Sequence, residues 1–133
     1  MTIRVVRDQR AAMRHDIHIG EYTLVTDLDV ENDGEGSGPS PHDLYDASLG
    51  ACKALTVLWY AKGKAIPVEG IEVSVDRDAS QERAGIYRLS VTLSLTGDLS
   101  SAQRQELLRV AERCPIHKLM TETTTQISTT LSG

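Results

Sequence analysis

The stretch GPSPHDLYDASLGACKALTVLWYAKGKAIP, residues 38–67, decides the fold of this 133-residue chain. Ser40 suits the N-cap position of a helix, and Pro41 suits the first helical position, where no backbone N–H is needed. Asp43 follows the cap by three residues and completes a capping box. The pattern therefore predicts a long helix that begins at Pro41.

This helix is apolar on nearly every face between Ala47 and Ala61, and Gly63 and Pro67 are typical of its end. A helix with that pattern needs cover on all sides, which a chain of 133 residues rarely supplies alone. The chain also has four Tyr, one Trp and no Phe, so its core lacks the largest apolar side chains. Both features favour an intimate dimer.

The remaining sequence predicts strands on both sides of the long helix, because apolar and polar residues alternate there. The predicted elements are strands at residues 2–6, 16–19, 22–26, 71–77, 87–96 and 125–131, and a second helix that follows a capping box at Ser100 and breaks at Pro115. Runs of strands interrupted by helices indicate an α+β fold. The length fits one domain, residues 1–133.

Composition excludes several classes of protein. The chain has 14 basic and 19 acidic residues, a net charge of −5, and no basic run that would bind nucleic acid or an anionic membrane. No apolar run reaches the roughly 18 residues of a membrane span, and no signal peptide is recognisable at the start. We expect a cytoplasmic protein, where two cysteines are more often catalytic, redox-active or metal-binding than a permanent disulfide.

Cys52 lies in the middle of the long helix, about three turns from its start. A buried free cysteine is most often a small core residue, and the helix dipole does not reach this far along. If Cys52 is reactive, a cation or base from another segment must stabilise its thiolate.

Cys114 precedes Pro115, which fits the first position of a new helical turn, so Cys114 is a candidate N-cap. A thiolate there would face unpaired N–H groups, which lower a thiol pKa. The alternative is a linker cysteine between two helical pieces, and local sequence favours neither. The 62 residues between Cys52 and Cys114 leave their distance open.

A zinc site is a further possibility, because Cys114-x-x-His117 resembles half of one. Cys52 and one more histidine could complete its ligands. Strong zinc motifs have paired ligands at both ends, however, and this chain lacks the second pair.

Two stretches together carry a resemblance to a known family. Residues 38–75 resemble the central segment of the OsmC/Ohr family, with its cysteine in an "ACxAxT" setting, and CPIHKLM, residues 114–120, resembles that family's second cysteine signature. The resemblance covers roughly residues 36–131, and the phrases GPSPHDL and YAKGKAI are closer to the OsmC-like branch.

The resemblance implies an intertwined α+β homodimer, with antiparallel sheets around two long central helices and an active site at each subunit interface. It implies that Cys52 attacks an organic hydroperoxide, with hydrogen peroxide as a further candidate substrate, and that Cys114 then forms a disulfide with Cys52. A lipoylated or thioredoxin-like dithiol would reduce this disulfide. Neither a cofactor nor a metal is expected.

The family pattern also has a glutamate ten residues before the first cysteine, paired with an arginine from the N-terminal strands. His42 occupies the glutamate position, and a histidine cannot hold an arginine by a bidentate carboxylate bond. Arg10 and Arg14 are the candidate arginines, and Arg10 fits the spacing slightly better. The substitution raises an alternative function: a non-peroxidatic protein that binds a small apolar or thiol-bearing ligand at the dimer interface.

Overall fold

The computed structural model describes residues 1–133 and has five strands and three helices in an α+β arrangement. The elements are β1 (Ile3–Arg7), β2 (His15–Ile19), β3 (Tyr22–Thr26), α1 (Pro41–Gly63), β4 (Gly70–Asp78), β5 (Arg88–Thr96), α2 (Ser101–Glu112) and α3 (Pro115–Thr121). Two single turns of 3-10 helix, Val30–Asn32 and Glu82–Ala84, lie in loops. The chain divides into two compact units, Met1–Ala47 and Ser48–Gly133.

The first unit contains an antiparallel sheet in the order β1-β2-β3. Its predicted hairpin is confirmed: Ile19 pairs with Tyr22 across a two-residue turn, and Gly20 takes a φ of +58°, which residues with a side chain rarely adopt. Most side chains of β1 and β3 are exposed, and only Ile17 of this sheet is buried. This unit therefore has little apolar core of its own.

The acidic loop after β3 is ordered around the carboxylate of Asp27. Its Oδ2 accepts hydrogen bonds from the backbone N–H of Glu35 at 3.3 Å and from the N–H and hydroxyl of Ser37 at 3.1 and 2.6 Å, while its Oδ1 accepts one from the N–H of Leu28 at 2.7 Å. These bonds, with the Ser37 hydroxyl first, lower the pKa of Asp27 to about 2. The loop that leads to α1 is thus closed by one buried acceptor.

Both predicted capping boxes are present. Asp43 N–H donates to the Ser40 hydroxyl at 3.2 Å and Ser40 N–H donates to the Asp43 carboxylate at 3.0 Å. The same reciprocal pair joins Ser100 and Gln103 at the start of α2. Since each pair satisfies two otherwise unpaired N–H groups, short local patterns were enough to place both helix starts.

The second unit packs α1 and α2 on the two-stranded antiparallel sheet β4-β5. Apolar residues alternate on one face of this sheet and pair across it, as in Val73 opposite Leu93. The buried core cluster lies above that face and consists of Val57, Ala61, Ile66, Leu107 and Ala111. This core fixes the relative position of the helices that carry both cysteines.

The single chain leaves helix α1 partly uncovered, as the sequence predicted: Trp59 is 77% exposed and Leu55 is 68% exposed. One expectation is corrected. Residues 125–131 form no strand: they have neither a ladder partner nor a buried side chain here. A strand needs a neighbour for its backbone groups, and no edge of this chain takes that role. The single-domain organisation stays a prediction.

Candidate active site

Cys52 lies on the interior part of α1, where two hydrogen-bond groups face its sulfur. The backbone N–H of Ile116 donates to Cys52 Sγ at 3.4 Å, and the Thr56 hydroxyl, one turn along the helix, lies 3.8 Å from the same sulfur. Both groups are placed to donate to the sulfur when it carries a negative charge. The first turn of α3 therefore supplies a backbone N–H donor to Cys52, which is neither the cation nor the base that the sequence required.

Cys114 occupies the break between α2 and α3 and is the N-cap residue of α3, with Pro115 at the first helical position. The side chain is completely buried. Cys52 Sγ accepts a hydrogen bond from the N–H of Ile116, two residues after Cys114, so both cysteines lie at the start of α3. Both cysteines are free thiols. The fold thus brings together two thiols that are 62 residues apart in sequence.

The sequence predicted that the N-cap position lowers the pKa of the Cys114 thiol, and this prediction is wrong in the net direction of the shift. Burial, followed by the interaction with Cys52, raises the pKa of the Cys114 thiol above its ordinary value. The backbone N–H of His117 and the positive charge of Lys53 act in the opposite direction but do not outweigh burial.

Lys53 is a residue of this site that sequence analysis missed. Its side chain is only 5% exposed, and its ammonium donates to the Ala111 carbonyl at 2.6 Å and lies 3.0 Å from His117 Nδ1. Ala111 is three residues before Cys114 and His117 three residues after it. The ammonium therefore bridges the helix break on both sides of the buried thiol.

His117 does not take part in a metal site. Its Nδ1 faces the Lys53 ammonium, and no group of three or more His, Cys, Asp or Glu side chains in the chain is arranged to hold a metal ion. An imidazole nitrogen that accepts a hydrogen bond from an ammonium is not available as a metal ligand at that atom. The geometry speaks against a zinc site at Cys52, Cys114 and His117.

The two candidate arginines lie in the first unit, where both approach the carboxylate of Asp8. Arg10 donates to it twice, at 3.0 and 3.2 Å, and its side chain is 91% exposed. These bonds with Arg10 lower the pKa of Asp8. Arg14 Nε lies 3.9 Å from the same carboxylate and is a buried donor without a hydrogen-bond partner. His42 is exposed in the first turn of α1.

A cavity of about 270 Å³ adjoins the Lys53 side chain in the second unit. Its walls are mainly apolar, and its polar side chains are Lys53, Glu112 and His117. A larger open depression of about 600 Å³ lies at the end of α1, beside Trp59 and Tyr60. The smaller cavity is therefore lined by the same Lys53 and His117 that contact each other across the helix break.

Two cysteines meet near a buried cation and backbone N–H donors, an environment that is typical of redox-active cysteines. No helix of the chain is both long and apolar enough to span a membrane.

Comparison with known proteins places this site in a family. A family model described as OsmC-like protein matches residues 34–130. No curated protein matches the sequence.

Three solved structures show how far the similarity extends. A Psychrobacter arcticus protein assigned to the osmotic stress and detoxification response is 23% identical, with a TM-score of 0.75, over 92% of this chain and 89% of its own. The organic hydroperoxide resistance protein OhrB of Bacillus subtilis is 27% identical, with a TM-score of 0.59, over 92% of each chain.

The third structure is a Vibrio cholerae protein assigned to organic hydroperoxide resistance, with captopril bound in one of its active sites. It is 19% identical, with a TM-score of 0.62, over 92% of this chain and 85% of its own. These likenesses confirm the α+β fold, and the family match spans 97 of the 133 residues. The chain belongs to the OsmC-like protein family.

Proposed function

We propose that this protein is a thiol-dependent peroxidase that reduces organic hydroperoxides. The observation that carries the proposal is that two free cysteines, Cys52 of α1 and Cys114 at the helix break, meet at the start of α3. Family membership and the hydroperoxide resistance relatives support the same substrate class. A cycle of thiols fits a reducing compartment such as the cytoplasm.

The cycle has three balanced steps. The Cys52 thiolate attacks the distal peroxide oxygen, the O–O bond breaks, and the alcohol leaves with a proton while Cys52 becomes a sulfenic acid. The Cys114 sulfur then attacks the Cys52 sulfur and forms the disulfide, and the sulfenic oxygen leaves as water. An external dithiol, such as a lipoylated or thioredoxin-like protein, reduces the disulfide and is itself oxidised.

Arg14 is the better candidate for the arginine that assists the peroxide reaction. Arg10 is exposed and already paired with Asp8 through two hydrogen bonds, whereas the buried Nε of Arg14 has no partner. A buried donor without a partner is costly unless it serves another group. We therefore expect Arg14→Gln to slow peroxide consumption more than Arg10→Gln, and equal effects would contradict this assignment.

A homodimer is part of the proposal. The exposed face of α1 carries Leu55, Leu58 and Trp59, an adjacent apolar set that a single chain leaves in water. A second copy of the same helix would cover it. Trp59→Asp should shift the mass measured by light scattering from dimer to monomer. Ile86→Asp, which changes an exposed apolar residue in a hairpin, should not, and an unchanged Trp59→Asp dimer would contradict the interface.

The decisive experiment counts free thiols in reduced protein before and after one equivalent of cumene hydroperoxide, with hydrogen peroxide in parallel. The proposal requires rapid loss of both thiols, reversed by a dithiol and faster with the organic peroxide. Cys114→Ser should stop at a Cys52 sulfenic acid that dimedone traps. A Cys52→Ser protein that still consumed the organic peroxide would refute the proposal.

A second candidate function is binding of a small apolar or thiol-bearing ligand at the dimer interface without peroxide chemistry. The observation that favours it is His42 in place of the family glutamate, and the captopril in the Vibrio cholerae relative shows that one active site of that protein accepts a small molecule. Thiols that survive cumene hydroperoxide while captopril binds with micromolar affinity by calorimetry would select this function.

A further inference from the structure

The buried Lys53 side chain suggests a role in the thiol chemistry that the proposed function leaves open. Lys53 directly follows Cys52 in α1, and the structure holds its ammonium between the last turn of α2 and the first turn of α3. Cys114 lies at the middle of that same break. One cation is thus held across the helix break in which Cys114 lies.

The two hydrogen bonds of Lys53 leave its charge without a negative partner. The Ala111 carbonyl and the His117 imidazole are both uncharged acceptors, and an ammonium has three N–H groups to donate. Removing a cation from water is costly unless an anion compensates it. A thiolate formed in the break would supply that compensation.

We propose that Lys53 is the positioning residue that stabilises the Cys114 thiolate during disulfide closure, with His117 and the Ala111 carbonyl holding its ammonium in place. This inference rests on the proposed peroxidase function only for its place in the cycle. The lysine offsets the burial that otherwise keeps the Cys114 thiol protonated. It takes no part in breaking the O–O bond.

A structural role for Lys53 is the alternative that the test must exclude. A lysine near the end of α2 also stabilises the unpaired carbonyls and the negative end of that helix. Such a role depends on the hydrogen bonds to Ala111 and His117. The proposed role depends in addition on the positive charge. Substitutions that remove only the charge, or only one hydrogen bond, distinguish the structural role from the proposed role.

The experiment measures the pKa of Cys114 directly in reduced protein labelled with ¹³C at the cysteine Cβ, by following its NMR shift with pH. This readout needs neither peroxide nor access of a reagent to the buried sulfur. The variants are Lys53→Gln, which removes the charge and keeps an amide donor, and His117→Gln, which alters the hydrogen bond and keeps the ammonium. Lys62→Gln, at the exposed end of α1, is the matched control.

We expect Lys53→Gln to raise the pKa of Cys114 by about one unit. At any fixed pH well below this pKa, that rise lowers the thiolate fraction about tenfold. His117→Gln and Lys62→Gln should shift it by less than half as much. An unchanged value in Lys53→Gln, or an equal rise in His117→Gln, would overturn the inference. The titration contains no peroxide, so its outcome does not depend on peroxidase activity. A protein inactive toward hydroperoxides would refute the proposed function but would leave the measured effect of Lys53 on the pKa of Cys114 unchanged.

Discussion

The chain buries two carboxylates, Asp27 and Asp46, in its first unit and one ammonium, Lys53, in its second. Asp27 and Lys53 are satisfied in different ways. Asp27 is 3% exposed and accepts all four of its hydrogen bonds from residues within the next ten positions. Lys53 is 5% exposed, and its two partners, Ala111 and His117, lie 58 and 64 residues along the chain.

This difference is the one we expect between a charge that orders a loop and a charge that serves the proposed thiol site. The bonds to Asp27 close a single loop, so they keep that carboxylate ionised and order the segment before α1. The bonds to Lys53 join α1 to the break between α2 and α3, where both thiols lie. A charge that is held by distant parts of the chain can exist only when the core is formed, which ties its effect to the folded site.

The largest effect is expected from Leu107→Ala, because Leu107 is completely buried in the core one turn before Ala111. Truncation of a buried leucine costs about 2–5 kcal/mol of unfolding free energy. Urea denaturation measures this loss. Leu108→Ala changes the next residue, which is partly exposed, and should cost less than about 1 kcal/mol by the ordinary range for surface positions.

Hydrogen exchange of the same variant sharpens the comparison. The Ile116 amide, which donates to Cys52, should exchange faster in Leu107→Ala because its position depends on the core. The Ser37 amide, which donates to Asp27, should keep its local protection. Equal acceleration of both amides would mean that the Asp27 loop depends on the core as much as the thiol site does.

An intermediate effect is expected when disulfide closure is compared in Lys53→Gln and Asp27→Asn. A rise of one pKa unit lowers the thiolate fraction tenfold, but the more basic thiolate is the better nucleophile, so closure should slow by only about three- to fourfold. Trapping of the Cys52 sulfenic acid by dimedone after a pulse of cumene hydroperoxide measures this rate. Asp27→Asn should close at the wild-type rate per folded molecule.

Equal slowing in the two variants would contradict the distinction between the two charges. An unchanged rate of disulfide closure in Lys53→Gln would mean that Lys53 only caps the end of α2. The comparison requires both proteins to be folded under the assay conditions, which circular dichroism at the same pH establishes.

Most of the fold was predictable because its signals are local. The capping boxes at Ser40 and Ser100 predicted the helix starts, and the strict alternation in residues 71–77 predicted a strand whose apolar face is partly buried. The strand predicted at residues 125–131 was wrong for the single chain. Strand formation depends on a neighbouring edge, and alternation in one segment says nothing about whether that edge is present.

The site was less predictable because its contacts are long-range. The two cysteines carried a recognisable pattern, but their closeness depends on how α1 meets the break at Pro115, across 62 residues. Lys53 gave no signal at all, since a lysine in a helix is ordinarily an exposed residue. The pKa of Cys114 depends on its burial, which outweighs the favourable helix start that its sequence indicated.

The smallest effect is expected from acid titration of Asp27→Asn. The pKa of Asp27 is about 2 in the folded chain against an ordinary 3.8, so the folded state binds this proton less readily than the unfolded state. The stability that this carboxylate contributes is therefore complete above the ordinary value and is lost as the pH falls through the folded value. Asp27→Asn should lack this loss when thermal midpoints are compared between about pH 4 and pH 2.

Asp78→Asn is the matched control, because the pKa of Asp78 is also lowered, by Ser80, at an exposed hairpin. Its acid profile should differ from wild type less than that of Asp27→Asn, since fewer hydrogen bonds depend on its charge. An Asp27→Asn protein with the wild-type acid profile would mean that the loop does not rely on the ionised carboxylate. A purely structural role for Asp27 predicts two results together. The thermal midpoint of Asp27→Asn should fall less than that of wild type as the pH is lowered, and its disulfide should close at the wild-type rate. The substitution removes the acceptor of the loop and leaves Lys53 beside the thiols.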